Sequence, residues 1–111
     1  MIELTVLNYL ESKLGDIPCY LEEPETPTPT YCVIRKTGSD EENRIYEATI
    51  AILSYAPSLY EAIALNGRIV SAMQEMGPPN GVFCAKLNTD YEYTNLQTKQ
   101  YRYQAIFEVY Y

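Results

Sequence analysis

The sequence predicts an α+β fold: a mainly antiparallel sheet of four to five strands with two helices packed on one face. Three observations predict it. Apolar residues recur at three- and four-residue spacing in two separate stretches, 2–14 and 59–76. Elsewhere the period changes to two, most cleanly over 45–55 and 100–111. The chain has 111 residues. That suits one domain, 1–111, burying about 65% of the surface its unfolded form exposes.

In the first helix Ile2, Val6, Leu7, Leu10 and Leu14 form one apolar stripe, and Gly15 stands where a C-terminal cap belongs. Residues 17–21 are a short extended run. Residues 22–30 follow as a loop, because Pro24, Pro27 and Pro29 fix φ and remove donors that a central strand needs. This loop could offer a PxxP ligand to an SH3-like groove, but it is better read as a stiff surface crossover between strands. Residues 31–36 are a strand, and Thr37, Gly38, Ser39, Asp40, Glu41, Glu42, Asn43 and Arg44 are expected to form a polar loop with turn chemistry. A strand over 45–55 completes the hairpin.

Ser58 and Glu61 form a capping box that opens the second helix. Leu59, Ala62, Ile63, Ile69, Val70, Met73 and Met76 supply its expected buried face, and Gly77-Pro78-Pro79-Asn80-Gly81 stops it. Residues 82–87 are the next strand. Residues 88–99 are polar and are read as an extended hairpin tip or an irregular arm. In the last strand Tyr101, Tyr103, Ala105, Phe107 and Val109 share one face, and Arg102, Gln104, Ile106, Glu108 and Tyr110 the other. The two helical stripes cover one side of the sheet, which leaves the other semi-polar and rich in tyrosine. A face of that kind suits assembly.

Composition excludes several chemistries. The chain contains no His, so it cannot build a Ser-His-Asp or Cys-His nucleophile or a His-ligated zinc site. The net charge is −7, of which −6 falls in residues 1–55. Only Arg35 and Lys36 are adjacent cations, so no specific nucleic-acid binding is expected. Glu22, Glu23 and Glu25, like Asp40, Glu41 and Glu42, fit no calcium loop and are read as solvated acidic segments. No glycine-rich phosphate cradle exists. Cys19, Cys32 and Cys84 form no CxxC pair and are odd in number, so reduced, structural thiols in a reducing cytosol are expected. The first residues lack a basic leader and a long apolar run, which predicts neither signal peptide nor membrane anchor. No catalytic, cofactor-binding or metal-ligating residue is therefore assigned, and no cofactor is expected. Twelve tyrosines and no tryptophan favour contact surfaces, because tyrosine joins an apolar ring to a hydrogen-bonding tip.

The order of features carries a resemblance. After the leading helix come Ile17-Pro18-Cys19-Tyr20, then Glu25-Thr26-Pro27-Thr28-Pro29-Thr30-Tyr31, then Cys32-Val33-Ile34 before Thr37-Gly38. The strand Ile50-Ala51-Ile52-Leu53-Ser54-Tyr55-Ala56, the Ser58-capped helix and the terminal Tyr101-Arg102-Tyr103-Gln104-Ala105-Ile106-Phe107-Glu108-Val109 complete it. This resembles the small tail terminator, or tail completion, proteins of long-tailed bacteriophages and their prophages, over nearly the whole chain. The resemblance implies a non-enzymatic virion protein that forms a ring, commonly a hexamer. Such a ring sits on the head-proximal end of the tail tube, stops tube growth and meets the head–tail connector. It places the protein in the host cytoplasm during assembly and then in the virion tail. An acidic lumen would keep passing DNA from sticking. Two other readings stay open: a head-closure or minor capsid protein of the same phage, and a small ligand-binding or regulatory α+β module. The segment Thr37 to Arg44 is the expected partner-binding loop, mobile in the free protein and ordered against the tube.

Overall fold

The computed structural model describes residues 1–42 and 44–111. Helix α1 (Ile2–Leu14) is followed by a two-residue strand β1 (Cys19–Tyr20), then by the long strands β2 (Tyr31–Glu42) and β3 (Ile45–Ala56). Helix α2 (Leu59–Gln74), a single 3-10 turn (Pro78–Asn80), β4 (Cys84–Glu92) and β5 (Tyr101–Tyr110) complete the chain. The five strands form one sheet in the order β1-β2-β3-β5-β4, antiparallel except for the β1–β2 pair. The fold is thus α+β, with helices packed against a mostly antiparallel sheet.

Both helices lie on one side. Val6, Leu10 and Leu14 of α1 and Leu65, Ile69 and Met73 of α2 share a core with Cys32, Ile34, Ile50, Ile52, Ala105, Phe107 and Val109 of the sheet. Alternation in the strands makes this possible, since Ile34, Ile52 and Ala105 stand in one cross-strand row and Ile50 and Phe107 in the next. The helices are tied to each other by polar contacts as well. The Tyr9 hydroxyl donates to the Ala72 carbonyl, and Arg68 donates to the Leu14 carbonyl at 3.2 Å and to Asp16 at 3.3 Å. The guanidinium therefore meets the negative end of α1.

Four expectations change. The buried face of α2 includes Leu65, Asn66 and Ala72 rather than Ile63, which is exposed, because Ala62, Leu65, Asn66, Ile69, Ala72 and Met73 repeat at three- and four-residue spacing and Ile63 lies at the margin of that stripe. Strand β4 begins at Cys84 and runs on to Glu92, so much of the arm expected over 88–99 is sheet. The Ser58 oxygen accepts from the Glu61 backbone N–H at 3.2 Å, yet the Glu61 carboxylate turns to the Ser58 hydroxyl instead of reaching the backbone.

The largest change concerns the segment Thr37 to Arg44. It is not a loop: residues 37–42 continue β2, with Gly38 opposite Thr49, Ser39 opposite Ala48, Asp40 opposite Glu47, Glu41 opposite Tyr46 and Glu42 opposite Ile45. A register shift between Lys36 and Gly38 absorbs one residue as a bulge. Only residues 43 and 44 connect the strands, and Asn43 lies outside the described residues. The polar run misleads because this strand is exposed on both faces, so it carries no apolar alternation. It is held by its ladder to β3, and the expectation of a mobile free loop gives way to a paired ribbon.

Arg44 turns the chain with φ at 65°, a left-handed conformation that costs a side-chain-bearing residue about 1 kcal/mol. Arg44→Gly removes that cost and creates the Asn-Gly pair favoured in two-residue hairpins. The expected result in thermal unfolding is a midpoint about 4 °C higher. An unchanged or lower midpoint would show that the turn carries no strain.

Candidate functional site

The side of the sheet that neither helix covers is the candidate site. Cross-strand register arranges it in rows, Tyr31–Tyr55–Arg102, then Val33–Leu53–Gln104, Arg35–Ala51–Ile106, Gly38–Thr49–Glu108 and Asp40–Glu47–Tyr110. The rows run from aromatic and cationic at one end to acidic at the other. Two concavities follow the same division.

The first, about 390 Å³, is lined by Asp40, Glu41, Glu42, Ile45, Glu47 and Tyr110. Asp40 and Glu47 stand directly opposite each other, an arrangement of like charges that weakens a strand pair. Asp40 is held by accepting from the Glu41 backbone N–H at 2.8 Å. Partial burial and the neighbouring Glu47 and Glu108 carboxylates raise the Tyr110 phenol above its ordinary value. Among the described residues no group of three or more Asp, Glu, Cys or His side chains is placed to hold a metal ion. The acidic end is instead an open field of negative charge beside an aromatic ring and an isoleucine. Such a field is electrostatically complementary to cationic side chains.

The second concavity, about 310 Å³, has a floor of Ala51, Leu53 and Ile106 and walls that include Arg35, Arg102, Gln104, Tyr55 and Tyr93, with Glu23 at its rim, so two guanidinium groups outnumber one carboxylate. Neither Arg35 nor Arg102 has a carboxylate within 4.0 Å among the described residues. Arg102 is oriented all the same: its Nε donates to the Tyr93 carbonyl, and its guanidinium carbon lies 4.5 Å from the Tyr93 ring centroid. Thr37 also lines this concavity. The structure therefore divides the expected binding segment, with Thr37 at the cationic site, Asp40, Glu41 and Glu42 at the acidic site, and Gly38 and Ser39 in the ladder between them.

At the edge of the cationic site the 22–30 segment crosses from β1 to the parallel β2 as a surface connection, and its Glu23 lines the concavity. It brings Glu23 to a stacked pair of tyrosines. The Tyr31 and Tyr55 rings are 4.4 Å apart and nearly parallel, and both hydroxyls donate to the Glu23 carboxylate. With Val33, Leu53 and Tyr20 they make a second apolar cluster on the otherwise open face. Burial and the Glu23 carboxylate push the Tyr55 phenol up to about 12 and hold Tyr31 higher still. A raised phenol pKa favours the neutral form in the folded state. Its stabilisation is therefore complete below pH 10 and is lost as pH rises through about 12. Ultraviolet titration should show a late-ionising class of tyrosines whose ionisation coincides with loss of folded signal. A single class with midpoint near 10 would rule out the buried cluster.

Sequence reasoning missed Glu23, Arg35, Arg102 and Tyr93 as a group. Arg102 and Glu108 were placed on the right face by alternation, but nothing local in sequence announces that Arg35 joins Arg102 across β3. Cys19 and Cys32 are both buried and Cys84 partly so. No helix among the described residues is long and apolar enough to cross a membrane. No protein-family model and no curated protein matches the chain.

Proposed function

We propose that the protein is a non-enzymatic virion component, a tail terminator that forms a hexameric ring of its own copies. It caps the head-proximal end of the tail tube and joins it to the head–tail connector. One observation carries this reading: the uncovered sheet face is cationic and aromatic at one end and acidic at the other. Arg35 and Asp40 are separated along β2 by about 13 Å, more than the Debye length of about 8 Å at physiological salt, so within one copy they are largely screened. Between copies the two ends can meet at contact distance. A ring requires that kind of surface, in which different patches of one chain meet and the rotation closes. The order of elements that resembles tail terminators adds to this, as does the tyrosine-rich composition. Thr37 to Arg44, with Asn43 outside the described residues, remains the partner-facing segment, now as the end of the β2–β3 hairpin that runs from Thr37 at the cationic concavity to Asp40, Glu41 and Glu42 at the acidic one. The protein acts in the host cytoplasm during assembly and stays in the virion tail. Its partners are its own copies, the tail-tube protein and the connector, with no role for a membrane or for specific nucleic-acid binding.

Negative-stain microscopy of the protein with its tail-tube protein tests the proposal. Rings that cap tubes and limit their length are expected, and a double Asp40→Lys, Glu47→Lys variant should lose the rings while keeping its fold. A monomer that neither binds tubes nor limits their length would sink the terminator reading. Binding to the connector without binding to the tube would favour a head-closure protein.

A further inference from the structure

We infer that Cys19 and Cys32 are a disulfide site, open while the protein is in a reducing cytosol and closed once it meets an oxidising solution. The two residues are direct partners in the parallel β1–β2 pair. Adjacent strands run about 4.8 Å apart, inside the Cα separation of roughly 4.4 to 6.8 Å that a disulfide spans. The side chains point to the same side of the sheet, and the two sulfurs are in contact at 2.9 Å. Cys84 starts β4 on the opposite edge of the sheet, so it does not compete.

Burial explains why the pair is slow rather than why it is inert. Cys32 is fully buried, and its hydrogen bond with Cys19 and its burial both raise its thiol pKa. Cys19 is 8% exposed and sits in a strand of two residues at the sheet edge, the element that opens at least cost. Oxidation by a low-molecular-weight disulfide such as oxidised glutathione then proceeds in two steps. The Cys19 thiolate attacks a glutathione sulfur, which releases one glutathione thiolate and leaves a mixed disulfide. The Cys32 thiolate attacks Cys19 Sγ and expels the second glutathione thiolate. Two cysteine thiols are oxidised, one glutathione disulfide is reduced to two glutathiones, and the protons pass to solvent and the departing thiolates.

The bridge closes a 14-residue ring that contains the whole crossover, including Glu23. Closing it restricts the unfolded chain and fixes the segment whose carboxylate holds Tyr31 and Tyr55 over the sheet. The site does not depend on the ring reading. That reading adds only an occasion for closure, because a virion leaves the reducing cell.

The test uses purified protein before and after incubation with oxidised glutathione, unfolded in denaturant, alkylated without reductant and weighed by mass spectrometry. Freshly reduced protein should take three alkyl groups. Oxidised protein should take one, on Cys84, with a Cys19–Cys32 linkage in the peptide map. In urea the unfolding constant of oxidised protein should be about a hundredfold smaller than that of reduced protein. Cys84→Ser should keep that gain and Cys19→Ser should abolish it; the second variant changes only the edge strand, so it tests the bridge even if Cys32→Ser fails to fold. Three alkyl groups after prolonged oxidation, a linkage to Cys84, or a bridge that leaves the urea midpoint unmoved would each overturn the inference.

Discussion

Phe107→Ala is expected to remove about 3 to 5 kcal/mol of folding stability, the largest effect of any single substitution considered. Phe107 lies in β5, the strand that pairs with β3 on one side and β4 on the other, and its side chain is fully buried. Its row neighbours are Ile50 and Leu87, and the core above it comes from both helices. Neither neighbour can move into the vacated volume without breaking a ladder, so the cavity term adds to the lost transfer energy. Domains of this size are stable by about 5 to 15 kcal/mol in total. The variant should therefore unfold at a much lower urea concentration, or be unfolded at the outset. Phe107→Leu, which keeps most of the volume, should cost far less. A loss below about 1 kcal/mol for Phe107→Ala would mean that the core is not closed over β5.

The legible parts of the molecule were those in which one face is buried and the other is not. The stripe Ile2, Val6, Leu10 and Leu14 gave α1 to within a residue, and alternation in 101–110 assigned both faces of β5 correctly, because burial on one side imposes a period. The segment 37–42 failed for the same reason in reverse. Exposed on both faces, it has no period, and its Gly, Ser and Asp are read as turn chemistry although they pair with β3. The short β1 was visible only as an extended run. Its parallel pairing, which puts Cys19 beside Cys32, is a long-range fact that no local pattern encodes. Of the candidate surface, alternation made legible which residues of β3 and β5 share the uncovered face, but the division of charge along it depends on the register of three strands.

Glu23→Ala should cost about 2 to 3 kcal/mol although Glu23 itself is exposed. Its carboxylate accepts from two tyrosine hydroxyls that are almost completely buried, those of Tyr31 and Tyr55. Hydrogen bonds to a charged acceptor contribute about 1.5 to 3 kcal/mol each, and solvent at the carboxylate reduces that here. Removal leaves the Tyr55 hydroxyl with no alternative carboxylate and the Tyr31 hydroxyl with only a 3.5 Å contact from the Gln100 amide. The loss falls on the crossover, since Pro24, Pro27 and Pro29 deny it backbone donors that could anchor it in other ways. Glu23→Gln retains an uncharged acceptor and should recover about half the loss. The alkaline titration supplies the second readout: the Tyr55 midpoint should fall from about 12 towards 10 in Glu23→Ala, because both the burial and the hydrogen bond that raise it weaken together. Stability that is unchanged while the late-ionising tyrosines persist would show that the crossover is held by something other than Glu23.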